Sequence, residues 1–281
     1  MPKATVLVQG ASRGIGLEFV RALLKREKPT HVIATCRNIR MAERLTNLQK
    51  DHQPDDSLHR LDVIQLDVRH HDEFDNFSNS VETCLNDLKH DRGLDMLINC
   101  GHIYHPSNRV ETNLNDVLGI DLNDVYQVNV VGPLLITKIL MKYLKKGCSR
   151  FGNTSNGSYA SIILNISAEL ASIKNNQVGG WYAYRLSKCA LNMATKNLAI
   201  EFGDRSQGVS HLDKSDKPLL CVAMHPGIVN SEMIHAYKEL LPNAHFETKE
   251  NAVKKMLKTI DRLSLKDNGK YLDFDGNETN Y

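Results

Sequence analysis

The fold of this chain is decided near its start, where residues 4–29 read ATVLVQGASRGIGLEFVRALLKREKP. Ala4 to Gln9 is a short apolar run that suits a strand buried on both faces. Three glycines follow, and the segment after them has helical periodicity up to Pro29. A strand, a glycine turn and a helix in this order predict the beginning of a βαβ unit.

The same alternation of strands and helices continues through nearly the whole sequence. Further strand-like runs lie at residues 31–36, 61–66, 94–99, 160–167, 219–225 and 269–275. Helical patterns lie between them at 41–50, 72–89, 126–145, 181–202 and 249–263. This order predicts an α/β fold, a doubly wound parallel sheet with helices on both faces in three layers. No composition shift or linker divides the chain, so we expect residues 1–281 to form one domain.

The composition is that of an ordinary globular protein, with 41% apolar and 24% charged residues in 281. A formal net charge of +2 gives no reason to expect nucleic acid as a partner. No run approaches the ~18 apolar residues of a membrane span, and the residues before the first strand do not resemble a signal or transit peptide, so we expect neither. The six cysteines are scattered without metal-ligand spacing, so we expect reduced thiols, no metal and a cytoplasmic protein.

Ligands of such sheets bind at the carboxyl ends of the strands, and the first strand ends in glycines. Gly10, Gly14 and Gly16 allow a tight turn and let a pyrophosphate approach the backbone at a helix N-terminus. A glycine turn without a ligand is the alternative. The position between a strand and a helix favours nucleotide binding.

The end of the second strand indicates which dinucleotide fits. An acidic residue about 20 positions after the glycines would bind the free ribose hydroxyl of NAD. This region instead reads TCRN at residues 35–38, and Arg37 would form a charge-assisted bond with a 2′-phosphate. Arg13 could close on the same phosphate from within the glycine turn. We therefore expect NADP(H), and the alternative is a pair of solvated surface arginines.

Polar residues also follow the third and fourth strands. Asp67 is placed to accept a hydrogen bond from an adenine amino group, with Val68 against the ring, although Asp67 could equally cap a helix. Asn99 stands beside the small Gly101, where backbone could run along a cofactor. Asn129 lies early in the next helix, and a buried amide there needs hydrogen-bond partners such as an ordered water.

The helix predicted at residues 181–202 begins with WYAYRLSKCALN. Tyr184 and Lys188 stand four positions apart, so they share a helix face one turn apart. An ammonium group near a phenol lowers the pKa of the phenol from its reference value of about 10. This pair therefore predicts a tyrosine that exchanges a proton with an oxygen at neutral pH. Ordinary amphipathic helices also contain a tyrosine and a lysine four positions apart. The glycines and polar residues at the other predicted strand ends favour a catalytic pair here.

The fifth and sixth strand ends complete the predicted site. Ser167 ends the fifth strand, and its hydroxyl could meet that of Tyr184 at one carbonyl oxygen. Pro226 and Gly227 begin a turn, reaching to Ser231, that could cover a nicotinamide ring. Beyond this turn, residues 231–246 could cover a substrate or pack the last helix. The apolar side chains of that segment are Met233, Ile234, Tyr237, Leu240 and Leu241.

Taken together, these motifs resemble the short-chain dehydrogenase/reductase family over nearly all of the chain. The resemblance is carried by GASRGIG at 10–16, Asp67-Val68, Asn99, Asn129, Tyr184-x-x-x-Lys188 and Pro226-Gly227. The segments GGWYAYRLSKCALNMATKNLAIE and GKYLDFDG look most like the carbonyl reductases of the sniffer and C-factor group. The resemblance implies a Rossmann fold, NADP(H), and a homodimer or homotetramer that associates through the helices at 126–145 and 181–202.

The resemblance also implies roles for individual residues. Tyr184 would be the proton donor or acceptor, Lys188 would lower its pKa and hold the nicotinamide ribose, and Asn129 would order a water. A serine hydroxyl, here Ser167, would polarise the substrate carbonyl. The cofactor would contact Gly10, Ser12, Arg13, Gly14, Ile15, Gly16, Arg37, Asp67, Val68, Asn99, Gly101, Tyr184, Lys188, Pro226, Gly227, Val229 and Ser231.

Two departures from the family pattern stand out. The family commonly has Asn-Asn-Ala-Gly after the fourth strand, where this chain has Asn-Cys-Gly-His ending at His102. The family often ends the fifth strand with two serines and usually acts through the second, which is Ala168 here. The hydroxyl is then missing, comes from Ser167 with shifted geometry, or comes from Ser172. Losing one such donor costs roughly 10²–10³ in rate.

Two functions follow from these residues. The first is NADPH-dependent reduction of a small-molecule carbonyl, which is an aldehyde, a ketone or a quinone. The second is an NADP-binding regulatory or signalling protein whose reductase activity is weak or vestigial, as Ala168 and His102 suggest. A sugar-nucleotide epimerase is disfavoured, because the segment after Pro226 is too short for a substrate domain.

Overall fold

The computed structural model describes residues 3–52, 58–86, 93–107, 109, 111–155, 158–204, 213, 215–230 and 246–281. Its strands are β1 (Ala4–Gln9), β2 (Thr30–Cys36), β3 (His59–Gln65), β4 (Met96–Asn99), β5 (Ile162–Ile166), β6 (Leu220–His225) and β7 (Tyr271–Asp273). They form one sheet in the order β3-β2-β1-β4-β5-β6-β7. All neighbours pair in parallel. The predicted parallel sheet is confirmed.

Seven α-helices connect and cover the strands within the described ranges. They are α1 (Gly14–Leu23), α2 (Glu43–Asp51), α3 (Phe74–Asn86), α4 (Gly119–Tyr126), α5 (Gly132–Leu144), α6 (Tyr182–Phe202) and α7 (Lys249–Ile260). The helix predicted at 126–145 begins earlier and has a π-helical turn, Gln127–Val131, between α4 and α5. Pro133 accounts for this turn, because it has no N–H to bond to the carbonyl of Asn129 four residues before.

The two faces of the sheet carry separate apolar cores. Along β1 the buried side chains alternate, so Val6 and Val8 pack into one core and Leu7 into the other. The first core includes residues of α1 and α7, and the second includes residues of α3 and α5. Three layers result, as predicted.

The order of the strands positions the ligand crevice. The chain runs outward from β1 to β3 and then returns to place β4 on the other side of β1. Connections therefore leave β1 and β4 in opposite directions, and the crevice between them lies at the carboxyl ends of the strands.

Candidate active site

A cavity of about 720 Å³ lies at the carboxyl ends of the strands. This volume is in the range of small-molecule and cofactor sites. Its lining joins the glycine turn after β1, the ends of β2 and β3, the loop after β4 and the end of β5. The predicted residues that line it are Gly10, Ser12, Arg13, Gly14, Ile15, Gly16, Arg37, Asp67, Val68, Gly101, Ser167, Tyr184, Pro226, Gly227 and Val229.

The glycine turn is held by close packing against the loop after β4. Gly10 has φ +80°, and a Cβ there would lie 2.3 Å from Cα of Gly101. The N–H of Gly101 also donates to Oε1 of Gln9 at 2.7 Å. Sequence reasoning missed Gln9, which lines the cavity and joins the two strand ends.

The start of α1 presents backbone donors to this cavity. Arg13 occupies the N-cap position, and a guanidinium cannot accept the hydrogen bonds of the first helical turn. Gly14, the first helical residue, has φ +60° and open space where a side chain would point. An anion can therefore approach the N-terminus of α1 closely.

Cationic side chains dominate the cavity wall near β2 and β3. Arg13 and Arg37 are exposed and line the cavity. Asp67 lies nearby, but its Oδ2 accepts a hydrogen bond from Nη2 of Arg69 at 2.7 Å. The Arg69 guanidinium holds the pKa of Asp67 below its usual value. Asp67 caps no helix, because its other oxygen accepts the N–H of Arg69 in a local turn.

Tyr184 and Lys188 lie one turn apart on α6, and each is only 2% exposed. Lys188 Nζ donates to the carbonyl of Ile166 at 2.7 Å and lies 5.8 Å from the centre of the Tyr184 ring. Tyr184 lines the cavity, whereas Lys188 is packed behind it. The helix face predicted from the spacing is present.

The expected lowering of the Tyr184 pKa is wrong for this geometry. Burial, together with the neighbouring Tyr104, raises the pKa of Tyr184 well above its ordinary value. Burial also lowers the pKa of Lys188 to about 7, so its positive charge is partly lost at neutral pH. Desolvation of the phenol thus outweighs the attraction of the ammonium group.

The start of α6 is fixed by a buried glutamate. Glu111 Oε2 accepts the N–H of Ala183 at 2.8 Å, and its main-chain carbonyl accepts the N–H of Trp181 at 2.7 Å. Trp181 has φ 48°, a left-handed conformation directly before the helix. A carboxylate at a helix N-terminus is stabilising, so Glu111 sets where the helix that carries Tyr184 begins.

The loop after β4 covers Tyr184 with two rings. The ring centre of Tyr104 lies 4.2 Å from that of Tyr184, and the ring centre of His102 lies 6.1 Å away. The hydroxyls of the two tyrosines share a hydrogen bond. Desolvation and the charge of Lys188 lower the pKa of His102 to about 3, so the imidazole is neutral. Sequence reasoning noted His102 but missed Tyr104, whose signal was an aromatic residue just after a strand end.

Two buried asparagines form hydrogen bonds to the loop after β4, to α6 and to β5. Asn129 accepts the N–H of Ile103 at 2.9 Å and donates to the carbonyl of Ile103 at 2.9 Å. Asn129 also donates to Ser187 Oγ at 3.0 Å. Asn99 donates to Oδ1 of Asn165 at 2.8 Å in the sheet. Both amide nitrogens have protein partners, whereas Oδ1 of Asn99 is buried without one, and neither side chain lines the cavity.

The serines of the β5 end are held by other groups. Ser167 lines the cavity, and its Oγ donates to Oδ1 of Asn192 at 2.6 Å. Ser172 Oγ accepts the N–H of Asn175 at 3.1 Å. The carbonyl of Ala168 accepts the hydroxyl of Tyr271 at 2.6 Å. Ser231 and the apolar residues Met233, Ile234, Tyr237, Leu240 and Leu241 lie outside the described residues.

A glycine turn at a helix N-terminus and a buried Tyr-Lys pair at one crevice define a dinucleotide-dependent oxidoreductase. The family model for short chain dehydrogenases matches residues 4–240. The chain belongs to the short-chain dehydrogenase/reductase family, whose enzymes use a nicotinamide cofactor. The donor set fits this group, because Gly14 leaves space for a pyrophosphate at the N-terminus of α1.

Similar proteins support the family assignment. The chain is 29% identical to the carbonyl reductase Sniffer of D. melanogaster, covering 100% of both chains with a TM-score of 0.79. It is 30% identical to an NADPH-bound carbonyl reductase from chicken fatty liver, again covering 100% of both chains, with a TM-score of 0.78. It is also 28% identical to the C-signal protein of Myxococcus xanthus over 165 residues, which is 59% of this chain and 81% of that protein.

Three further observations concern the described part of the chain. Every helix there is too short or too polar to cross a bilayer. In those same residues, no three His, Cys, Asp or Glu side chains are grouped as metal ligands. The six cysteines are all described, and all carry free thiols.

Proposed function

We propose that the protein reduces a carbonyl group of an aldehyde, ketone or quinone with NADPH. The observation that carries the proposal is the single cavity that joins the N-terminus of α1 to the hydroxyl-bearing ring of Tyr184. One end of this cavity suits a pyrophosphate, and the other end holds a proton donor. When bound, the reduced nicotinamide supplies a hydride to the carbonyl carbon.

The charges at the cavity support NADPH over NADH. Arg13 and Arg37 line the wall where an adenosine ribose would lie, and the end of β2 carries no carboxylate. Asp67, which lines the same cavity after β3, is paired with Arg69. A 2′-phosphate would therefore meet guanidinium groups and little uncompensated negative charge.

The raised pKa of Tyr184 suits reduction. A phenol whose pKa lies above its ordinary value stays protonated at neutral pH, and it yields its proton only to a strong base. The oxygen of a carbonyl that has received a hydride is such a base. Lys188 Nζ, held by the carbonyl of Ile166, would support the phenol from behind the cavity wall.

The test compares the wild type with Tyr184→Phe. Purified protein is mixed with NADPH and a panel of aldehydes, ketones and quinones, and oxidation of NADPH is followed by absorbance. We expect Tyr184→Phe to lower kcat by about 10³-fold, as for loss of a general acid. Binding of NADPH, measured by titration, should change less than about twofold. Wild-type protein that binds NADPH and reduces none of the panel would contradict the proposal.

That contrary result would favour the second function, an NADP-binding regulatory or signalling protein. Ala168 in place of a serine, the covering of Tyr184 by Tyr104 and the similarity to C-signal support this alternative. In that case NADPH and NADP⁺ would bind without turnover.

Association and location also remain proposals. Leu186 and Met193 on α6 are 57% and 62% exposed, and Tyr126 at the end of α4 is 47% exposed. These apolar side chains lie on the helices through which we predict a homodimer or homotetramer to form. The cytoplasmic location, the domain limits 1–281 and the individual roles of Asn129 and Ser167 are likewise predictions.

A further inference from the structure

If the protein is the proposed reductase, a second hydroxyl is expected beside the substrate oxygen, and the described residues near the end of β5 do not offer one. Position 168 is alanine. The Ser167 proton is donated to Asn192 Oδ1 at 2.6 Å, within the sheet-helix interface. Ser172 bonds to the backbone of Asn175 and does not line the cavity. Of the two serines near the end of β5, Ser167 therefore donates its proton elsewhere and Ser172 lies outside the cavity wall.

A different hydroxyl reaches Tyr184 from the opposite wall. Tyr104 lines the same cavity, its ring centre is 4.2 Å from that of Tyr184, and the two hydroxyls are hydrogen-bonded to each other. The Tyr104 side chain is partly exposed, whereas Tyr184 is only 2% exposed. The hydroxyls of both tyrosines are therefore available to one ligand oxygen in this cavity.

The backbone on each side of Tyr104 is anchored. The Asn129 side chain accepts a hydrogen bond from the N–H of Ile103 and donates one to its carbonyl, each at 2.9 Å. On the other side, the His105 ring lies 3.0 Å from Oδ2 of Asp121 on α4. Because both neighbours are held by the α4–α5 segment, the backbone of Tyr104 is fixed, and its hydroxyl can move only by rotation of the side chain.

We propose that Tyr104 donates the second hydrogen bond to the substrate carbonyl oxygen, in the role that a serine at position 168 would fill. The two phenols turn from each other onto the carbonyl oxygen when a substrate binds. Tyr184 transfers its proton to that oxygen as the carbonyl carbon accepts the hydride of NADPH. Only one proton is needed at the alkoxide oxygen, so Tyr104 keeps its own proton and stabilises the developing negative charge through the hydrogen bond that it donates.

The main test is Tyr104→Phe, with Tyr182→Phe as its matched control on α6. We expect Tyr104→Phe to lower kcat by about 10²-fold and to change KM for the carbonyl compound far less. Tyr182→Phe should retain kcat within about twofold, because Tyr182 does not line the cavity. Thermal unfolding and NADPH titration establish that each variant is folded and binds cofactor.

Rescue distinguishes a donor from a packing residue. Ala168→Ser in the Tyr104→Phe background should recover at least about tenfold of the lost kcat, because it restores a hydroxyl on the β5 side. A second measurement determines the affinity for a ketone at equilibrium. The ketone is titrated into the protein without NADPH, so that it binds but is not reduced, and binding is measured by Trp181 fluorescence. We expect about fivefold weaker binding in Tyr104→Phe, the effect of one lost hydrogen bond.

The outcomes separate this proposal from the proposed function. If the wild type reduces substrates, Tyr184→Phe does not, and Tyr104→Phe retains full kcat, the Tyr104 role is overturned and the reductase remains. If Ser167→Ala produces the larger loss, Ser167 is the donor instead. If the wild type reduces nothing on the panel, both proposals are overturned together.

Discussion

The cavity has two halves that differ in how the chain builds them. The cofactor half comprises the glycine turn Gly10–Gly16 and the ends of β2 and β3 at Arg37 and Asp67, and it follows the family pattern closely. The reaction half comprises His102, Tyr104, Ser167, Ala168 and Tyr184, and it departs from that pattern at two of its five positions. The glycine turn and the helix N-terminus of the cofactor half are built by neighbouring residues, whereas the side chains around Tyr184 come from positions far apart in the sequence.

The largest expected effect is at Gly10, where the two halves touch. Gly10→Ala adds a Cβ 2.3 Å from Cα of Gly101 at φ +80°, so the turn and the loop after β4 must separate. We expect the free energy of unfolding to fall by more than about 3 kcal/mol, since strain and a backbone clash combine. Urea unfolding of the cofactor-free protein measures this change.

Gly14→Ala is the matched control, because it has φ +60° and open space around the added Cβ. It should cost only the ~1–2 kcal/mol of a left-handed alanine. Equal losses in the two variants would show that backbone strain alone requires Gly10, and that the halves are not coupled through this contact.

A smaller effect is expected on cofactor affinity when Arg37 is replaced. Arg37 belongs to the cofactor half alone, so its replacement tests whether the two halves act separately. Arg37→Ala should weaken NADPH binding by roughly 10–100-fold, the effect of a lost charge-assisted hydrogen bond. NADH binding should hardly change, since NADH has no 2′-phosphate. Fluorescence titration with both cofactors measures the two affinities.

Arg40→Ala serves as the control, because Arg40 is exposed on the same connection and does not line the cavity. Equal weakening of NADPH and NADH by Arg37→Ala would remove the assignment of this side chain to the 2′-phosphate. A large change in kcat at saturating NADPH would show that the two halves are not separable.

The effect that is smallest at neutral pH is expected from His102, and it grows only as the pH falls. The pKa of His102 is lowered to about 3 in the native protein, against a reference of about 6.5 in the unfolded chain. Between these values the unfolded state binds one more proton, so the free energy of unfolding decreases as the pH falls from about 6.5 toward 3. Above pH 7 His102 contributes no slope.

His102→Asn should reduce the slope of the free energy of unfolding against pH, below about pH 6.5, by up to about 1.4 kcal/mol per pH unit. Denaturant unfolding from pH 4 to pH 8 compares the two proteins, and their curves should run parallel above pH 7. Parallel curves throughout the acid range would mean that desolvation of His102 does not contribute to acid sensitivity.

Much of the fold and of the cofactor half could be predicted because their causes are local. Ala4–Gln9 was predicted as a doubly buried strand and is one. The glycine turn, the register of Tyr184 with Lys188 and the arginines at the ends of β1 and β2 follow from short-range spacing. Helix boundaries were less accurate, because the helix predicted at 126–145 is one continuous helical segment with α4 and therefore begins earlier.

The amino-acid sequence by itself determined the alternation of strands and helices, the dinucleotide turn and the identity of the tyrosine-lysine pair. Only the tertiary structure decided the pKa of Tyr184, the direction of the Ser167 hydroxyl and the position of Tyr104 against Tyr184. The reason is that desolvation and hydrogen-bond geometry arise from contacts across the chain, such as the 80 positions between Tyr104 and Tyr184. No local pattern encodes those contacts, since several elements must pack before any of them forms.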